Sequence, residues 1–289
     1  SKKQRMSEVK ELLKKSNLDW NVTTEGLTTT SGLVVPDFKA VVREDTMNVL
    51  SVRGEDYEVY QNEQLMQLLY DVSNKTGLQI HRGGSFGGGK KVYIQLKSDD
   101  LKLGKDRIEG FITSANSFDG STSLGFGCTN ITISCQNTFF GAFRNLQNKV
   151  RHTKNMHLKI DDICKSLDYV IEEEKQMFRN IVQLSETRIG ENDIDMVIRK
   201  LFNIKNDVDI TDADSLSTVT VNKINQFYVD LNGELKQKGN NLWGLQSGVT
   251  YYGTHSMNKG DSEKNEMSKM FGLQGRREQE IFNHLVELV

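Results

Sequence analysis

The segment Gly84-Ser-Phe-Gly-Gly-Gly89-Lys90 satisfies G-x-x-x-x-G-K, the spacing with which a backbone loop and a lysine cradle nucleotide phosphates. That chemistry needs two further features. The next residue should be Ser or Thr, whose hydroxyl holds Mg²⁺, and the loop must open into a helix whose N-terminal amides face the phosphates. Here the next residue is Lys91, and Lys91-Val-Tyr-Ile-Gln-Leu-Lys97 alternates with β-branched and aromatic side chains, which is the pattern of a strand. Leu78-Gln-Ile-His-Arg82 alternates on the other side. Residues 83–91 are therefore expected to be a β-hairpin tip and not a nucleotide-binding loop. Such a tip serves either as a mobile connection or as a flexible gripping surface. In the second case its glycines let a partner approach the backbone, while His81, Arg82, Lys90 and Lys91 place positive charge at its base.

Other residues with chemical potential are weaker. Lys149-Val-Arg151-His152-Thr-Lys154, with Arg144 upstream, reads either as a phosphate-contacting strip or as a solvated helix end. His152 and His157 stand five apart, a poor helical spacing for a metal, and no carboxylate cluster frames them. In Ser117-Phe-Asp119-Gly-Ser121 the Asp and Gly sit where a turn wants them, and a serine nucleophile would still lack a placed His and acid. Cys135-Gln-Asn-Thr138 reads as a buried thiol at a strand end, with Asn137 or Thr138 capping a following helix. Trp20, Trp243, Tyr251 and Tyr252 are expected in the core rather than as base-stacking platforms.

The elements that must position these groups follow from periodicity. Met6, Val9, Leu12 and Leu13 mark a first helix, and a Thr-rich β-prone stretch follows at residues 27–35. Residues 38–43 and 49–52 read as strands around the turn Glu44-Asp-Thr-Met-Asn48. Leu65, Leu68, Leu69 and Val72 form a helical stripe closed by Gly77. Two more strands are expected at residues 107–114 and 124–134, separated by the polar turn at residues 116–122, and the pattern turns helical from about Asn137. One long helix spans residues 158–184, shorter ones residues 194–202 and 215–236, then a charged loop residues 258–266, and a closing helix runs to Val289. This is an α+β order: an N-terminal antiparallel sheet with a long hairpin packed on helices, then an α-rich C-terminal half. The expected division is a core domain over residues 1–155 and a mainly helical region over 156–289.

Bulk properties narrow the function classes. Lys plus Arg number 37 against 39 Asp plus Glu, a net charge of −2, so any nucleic-acid site must be a local basic patch. Three cysteines without CxxC spacing argue against a disulfide framework and a structural zinc. The charged start and the lack of a long apolar run predict a cytoplasmic protein with no membrane partner.

Several motifs resemble, in order, a phage and plasmid-like family, domain of unknown function 932. They are Val42-Arg43-Glu-Asp45, Tyr57-Glu-Val-Tyr-Gln61-Asn62, Ser117-Phe-Asp119-Gly120, Cys135-Gln136-Asn137-Thr138, Arg151-His152-Thr153, Leu242-Trp243-Gly244, Tyr251-Tyr252-Gly-Thr-His255 and Met270-Phe271-Gly272. The resemblance covers most of the chain. It departs at Phe118, where family members often carry His, which puts chemistry at that turn in doubt. The resemblance implies a mobile-element protein in a bacterial host and supplies no enzymatic activity. The order of helix, short strands, helix and long hairpin is also similar, in topology alone, to Rad52-like single-strand annealing proteins, which form rings and bind single-stranded DNA in a basic groove.

Three functions follow as expectations. The first is binding of single-stranded nucleic acid, in annealing or as a recombination accessory, by phosphate contacts from Arg43, Arg53, Arg82, Lys90, Lys91, Lys97, Arg144, Lys149, Arg151 and Lys154, with Tyr93 or Phe86 stacking on bases. The second is a phage interaction protein that inhibits a host defence complex. The third, a hydrolase using Asp119, His152 or Cys135, is the least supported. No cofactor and no metal are expected; a homo-oligomer suits either leading reading.

Overall fold

A computed structural model describes residues 2–122, 124–132, 137–139, 160–259 and 261–289. The chain divides into two compact units. The first comprises residues 1–98, 111–128 and 143–171, and the second residues 99–110, 129–142 and 172–289. The fold is α+β, as its strand and helix order implies.

The first unit opens with helix α1 (Lys2–Lys15), which buries Val9 and Leu13 and packs on α2 (Asn62–Thr76). Arg5 of α1 reaches Asp71 of α2, Nε to Oδ1 2.9 Å. Helix α2 presents Leu65, Met66, Leu69 and Val72, all fully buried, at helical spacing, and ends at Gly77, whose φ of 78° only glycine adopts without strain.

Between the two helices in the sequence come the strands of a three-stranded antiparallel sheet, β1 (Val22–Thr28), β2 (Val34–Arg43) and β3 (Asn48–Gly54), paired in sequence order. The Glu44-to-Asn48 turn connects β2 and β3 as the sequence indicates. β1 and β2 continue beyond the sheet's buried end as an exposed ribbon. At the inner end of the open β1 edge, the Gln61 side chain stands in for a missing strand: it accepts from the Val22 amide at 3.0 Å and donates to its carbonyl at 2.6 Å.

The second sheet has five strands in the order β4 (Ile80–Phe86), β5 (Lys91–Leu103), β6 (Asp106–Ser117), β7 (Gly125–Thr132) and β8 (Asn137–Phe139). β4 and β5 pair antiparallel with Phe86 opposite Lys91. The glycine-rich segment is thus a hairpin, as expected, but Gly83 and Gly84 belong to the strand and only Gly87–Gly89 form its turn. On β5, Val92, Ile94 and Leu96 share one face and are fully buried or nearly so. β5 runs longer than alternation alone indicates, through the polar stretch Ser98-Asp-Asp-Leu-Lys102, because β6 supplies its backbone partners across a tight turn at Gly104.

Two expectations are corrected. The helix anticipated from Asn137 is a strand: Asn137, Thr138 and Phe139 pair with Thr132, Ile131 and Asn130 of β7, so neither Asn137 nor Thr138 caps a helix. The charged loop anticipated at residues 258–266 is half helical, since Asp261 caps the Lys264 amide at 2.9 Å and starts α7 (Ser262–Phe271).

The second unit is mostly helical. It holds the later part of α3 (Ile160–Glu186) with α4 (Asp193–Phe202), α5 (Thr218–Lys238), α6 (Leu242–Tyr251), α7 and α8 (Leu273–Glu287). Its core is built from Leu184, Val197, Ile198, Phe227, Leu231, Leu245, Val249, Ile281 and Leu285, each fully buried or nearly so. α6 passes directly into a π-helical turn, Tyr252–Ser256. Among the described residues no helix is long and apolar enough to cross a membrane.

Candidate functional site: two cationic turns at Gly88 and Gly120

Two turns of the first unit bring together four of the cations proposed from sequence, Arg43, Arg53, Lys90 and Lys91. The first is the glycine turn. Gly87, Gly88 and Gly89 have φ of 62°, 69° and 108°, in the region L side chains avoid. Gly89 is buried: a Cβ there would lie 2.9 Å from Trp20 Cη2 and 3.3 Å from Arg43 Cδ. The loop expected as a flexible hairpin tip is therefore seated on Trp20 and Arg43.

Arg43, at the end of β2, holds this seat. Its guanidinium lies 4.2 Å over the Trp20 ring. Nη1 donates to the Gly88 carbonyl at 3.1 Å. Nε and Nη2 donate to the two carboxylate oxygens of Asp45 at 2.7 and 3.0 Å, a bidentate fork. The Arg43 hydrogen bond holds the Asp45 carboxyl below its ordinary range.

The second turn runs from Ser117 to Ser121. Asp119 Oδ1 accepts from the Ser121 amide at 2.9 Å, and Gly120 takes φ of 70°. Lys91 Nζ sits 3.2 Å from Asp119 Oδ2 and also hydrogen-bonds the Ser121 hydroxyl. Burial pushes the Asp119 carboxyl up, but the Ser121 hydrogen bonds and the Lys91 charge outweigh it and leave the group below its usual range. Arg53 of β3 donates from Nη1 to the Asp119 carbonyl at 3.3 Å, lies 5.7 Å over the Tyr57 ring, and lies where a Gly120 side chain would stand. Its Nε is buried and makes no hydrogen bond among the described residues. Burial pushes the Tyr57 hydroxyl up to about 12.

The turns are stitched together. The Phe118 amide donates to the Lys90 carbonyl at 2.7 Å, and Ser51 Oγ donates to the Phe118 carbonyl at 2.6 Å. Phe118 is fully buried, its ring 5.8 Å from that of Trp20, so this position anchors the turn in the core.

Of the ten cations proposed from sequence, the structure thus brings together Arg43, Arg53, Lys90 and Lys91. Arg43 and Lys91 are matched by Asp45 and Asp119. Lys91 is 8% exposed, whereas Lys90 is exposed. Neither Arg53 nor Lys90 pairs with a carboxylate among the described residues. Arg82 and Lys97 lie along the β4–β5 pair: Arg82 donates to Gln95 Oε1 at 2.7 Å, and Lys97 donates to the Ser98 carbonyl at 2.7 Å with its ammonium 5.1 Å over Phe111. Arg144, Lys149, Arg151 and Lys154 lie outside the described residues, as do Cys135, Gln136, His152 and His157. Phe86 and Tyr93, expected to stack on bases, are 3% and 7% exposed and stack on each other at 5.3 Å. Trp20, Trp243 and Tyr252 are buried as expected.

Sequence reasoning missed Asp45 as the partner of Arg43 and Lys91 as the partner of Asp119. The first was accessible, since a carboxylate two residues beyond an arginine in a turn folds back onto it. The second depends on two strands meeting.

The second unit holds a different polar centre. Lys269, 1% exposed, donates to Glu278 Oε1 at 2.9 Å, Thr254 Oγ1 at 2.7 Å and the Thr250 carbonyl at 3.1 Å. Burial pushes the Glu278 carboxyl up to about 7 against the pull of Lys269. Thr254 Oγ1 also accepts from the Thr138 amide at 3.4 Å, and Asn137 Nδ2 stands 3.3 Å from Glu234 Oε2 and the Ser247 carbonyl. The ammonium's three donors are all used, which makes this centre an internal strut. Among the described residues no three His, Cys, Asp or Glu side chains gather where they could hold a metal ion.

Compared with known proteins, residues 49–280 match the protein-family model described as "Domain of unknown function (DUF932)". No curated protein and no solved structure matches.

Proposed function

The chain belongs to the DUF932 family, and for this member we propose a binding role: contact with the phosphates of single-stranded nucleic acid, as a phage- or plasmid-encoded annealing or recombination accessory in the bacterial cytoplasm. The observation that carries the reading is the convergence of Arg43, Arg53, Lys90 and Lys91, from two strands, a turn and a third strand, on two stitched glycine turns. Arg53 and Lys90 make no ion pair with a carboxylate among the described residues. A Cβ placed on Gly88 meets nothing within 4 Å, so the backbone there can be approached closely. Readout would be of backbone charge, with little base specificity.

Fluorescence anisotropy with oligothymidylate across a salt series tests this. The expected outcome is binding that weakens with salt. An Arg53→Ala/Lys90→Ala variant should bind roughly tenfold more weakly, with a log–log salt slope shallower by about 0.7 for each phosphate it no longer neutralises. Absence of binding by the wild type at low salt would sink the reading.

A second reading, binding to a host protein complex, has its own observation. The β1–β2 ribbon leaves Leu33, Val34 and Phe38 exposed at 67%, 77% and 51%, beside Val52 of β3 at 51%. Apolar side chains exposed along a ribbon and the adjoining strand suit a protein partner.

A further inference from the structure

Arg43 presents the side-chain edge with which arginine grips a phosphate. Its Nε and Nη2 form two parallel hydrogen bonds of 2.7 and 3.0 Å, and what they hold is the carboxylate of Asp45. The rest of the guanidinium is fixed independently of Asp45. One face lies 4.2 Å over Trp20, and Nη1 is tied to the Gly88 carbonyl at 3.1 Å. Removing Asp45 would leave the fork in place and without its carboxylate.

The two partners differ in how firmly they are held. The Arg43 side chain is 17% exposed and braced by an indole and a backbone carbonyl, whereas the Asp45 side chain is 47% exposed and is held, apart from Arg43, by the backbone amides of Asp45 and Thr46 in its own surface turn between β2 and β3. A carboxylate exposed to that degree gains little from its ion pair and can swing into water. The arginine cannot follow it.

We propose that Asp45 is a built-in competitor for phosphate: it occupies the Arg43 fork in the free protein and is displaced when a phosphodiester of single-stranded nucleic acid binds. This rests on the proposed function and adds a regulatory contact to that site. Displacement exchanges one anion for another on the same two N–H groups. Binding to the wild-type chain therefore carries the cost of releasing Asp45, and the site holds tightly only a strand that engages several cations together.

The test uses the intact chain and oligothymidylate, with Asp45→Asn, Asp45→Ser, Glu44→Gln, Arg43→Ala and Arg43→Ala/Asp45→Asn. Removing any negative charge near a polyanion site helps binding, so Glu44→Gln, adjacent but not bonded to Arg43, sets that background. Asp45→Asn and Asp45→Ser are expected to bind roughly two- to fivefold more tightly than the wild type and more tightly than Glu44→Gln. Their salt slope should steepen by about 0.7, one extra neutralised phosphate. Without Arg43, the Asp45→Asn gain should shrink to the Glu44→Gln background. The inference is overturned if Asp45→Asn and Glu44→Gln gain equally, or if the gain survives removal of Arg43. It is also overturned if Asp45→Asn matches a wild type whose binding depends on Arg53 and Lys90, in which case the proposed function stands. If no variant binds at low salt, both fall.

Discussion

At Gly120 a side chain would meet two obstacles together. The backbone φ of 70° is disfavoured for any L residue, and the ideal Cβ position lies 2.3 Å from Arg53 Cζ. Gly120→Ala is expected to lose about 1–3 kcal/mol in urea denaturation, the arginine shifting aside while the backbone strain remains. Lys91 and Asp119 extend this from sterics to charge. Their side chains are only 11% and 21% exposed, so Lys91→Ala should cost about 1–3 kcal/mol by leaving the carboxylate half-buried without its partner. The folded-state pKa of Asp119 is lowered from 3.8, so its contribution is present above that value and lost as pH falls through the lower folded value. Urea midpoints measured down through pH 4 should drop more steeply for the wild type than for Asp119→Asn.

Among the described glycines, Gly275 at the α7–α8 junction leaves the least room for a side chain. A Cβ on Gly275 would stand 1.8 Å from the Lys269 carbonyl, backbone against backbone, so no side chain can yield. Gly275→Ala should cost about 3 kcal/mol or more and lower the thermal midpoint accordingly. The ion pair packed beside it runs the opposite way from Asp119 with pH. The Glu278 carboxyl is raised from 4.5 to about 7, so the folded state binds the extra proton between those values. Stability should fall as pH rises through that window and level off above it, and Glu278→Gln should flatten the decline. The π-helical turn Tyr252–Ser256 sits between Thr250 and the α7 helix, and it brings Thr254 Oγ1 to the Lys269 ammonium.

For the whole molecule, the near balance of 37 basic and 39 acidic residues means no long-range field draws a polyanion in. Affinity must come from a few placed cations, and this is why the salt slope is the informative measurement. The exposed ribbon belongs to this scale as well. Val34→Thr and Leu33→Ser, at positions 77% and 67% exposed, should leave stability within about 0.5 kcal/mol. If the ribbon binds protein, the same two changes should abolish capture of a purified partner while leaving oligothymidylate binding unchanged.

The sequence by itself determined the α+β order, the first helix, the β2–β3 turn, the Gly77 helix end and the replacement of a nucleotide loop by a hairpin. Each depends on period, turn chemistry or a missing hydroxyl, all local properties of a few neighbouring residues. It also carried the family, through short motifs spread along the chain. It could not show that Asn137–Phe139 is a strand, because a three-residue segment takes its conformation from the Asn130–Thr132 partner and not from its own pattern. Nor could it separate the cations. Arg43, Arg53, Lys90 and Lys91 look alike in a row of letters. Only tertiary structure set Lys91 against Asp119, laid Arg53 on Gly120, left Lys90 in water and placed Asp45 in the Arg43 fork. Charge is read from sequence, but its availability depends on which carboxylates and carbonyls folding brings within about 3–4 Å, and those come from distant parts of the chain.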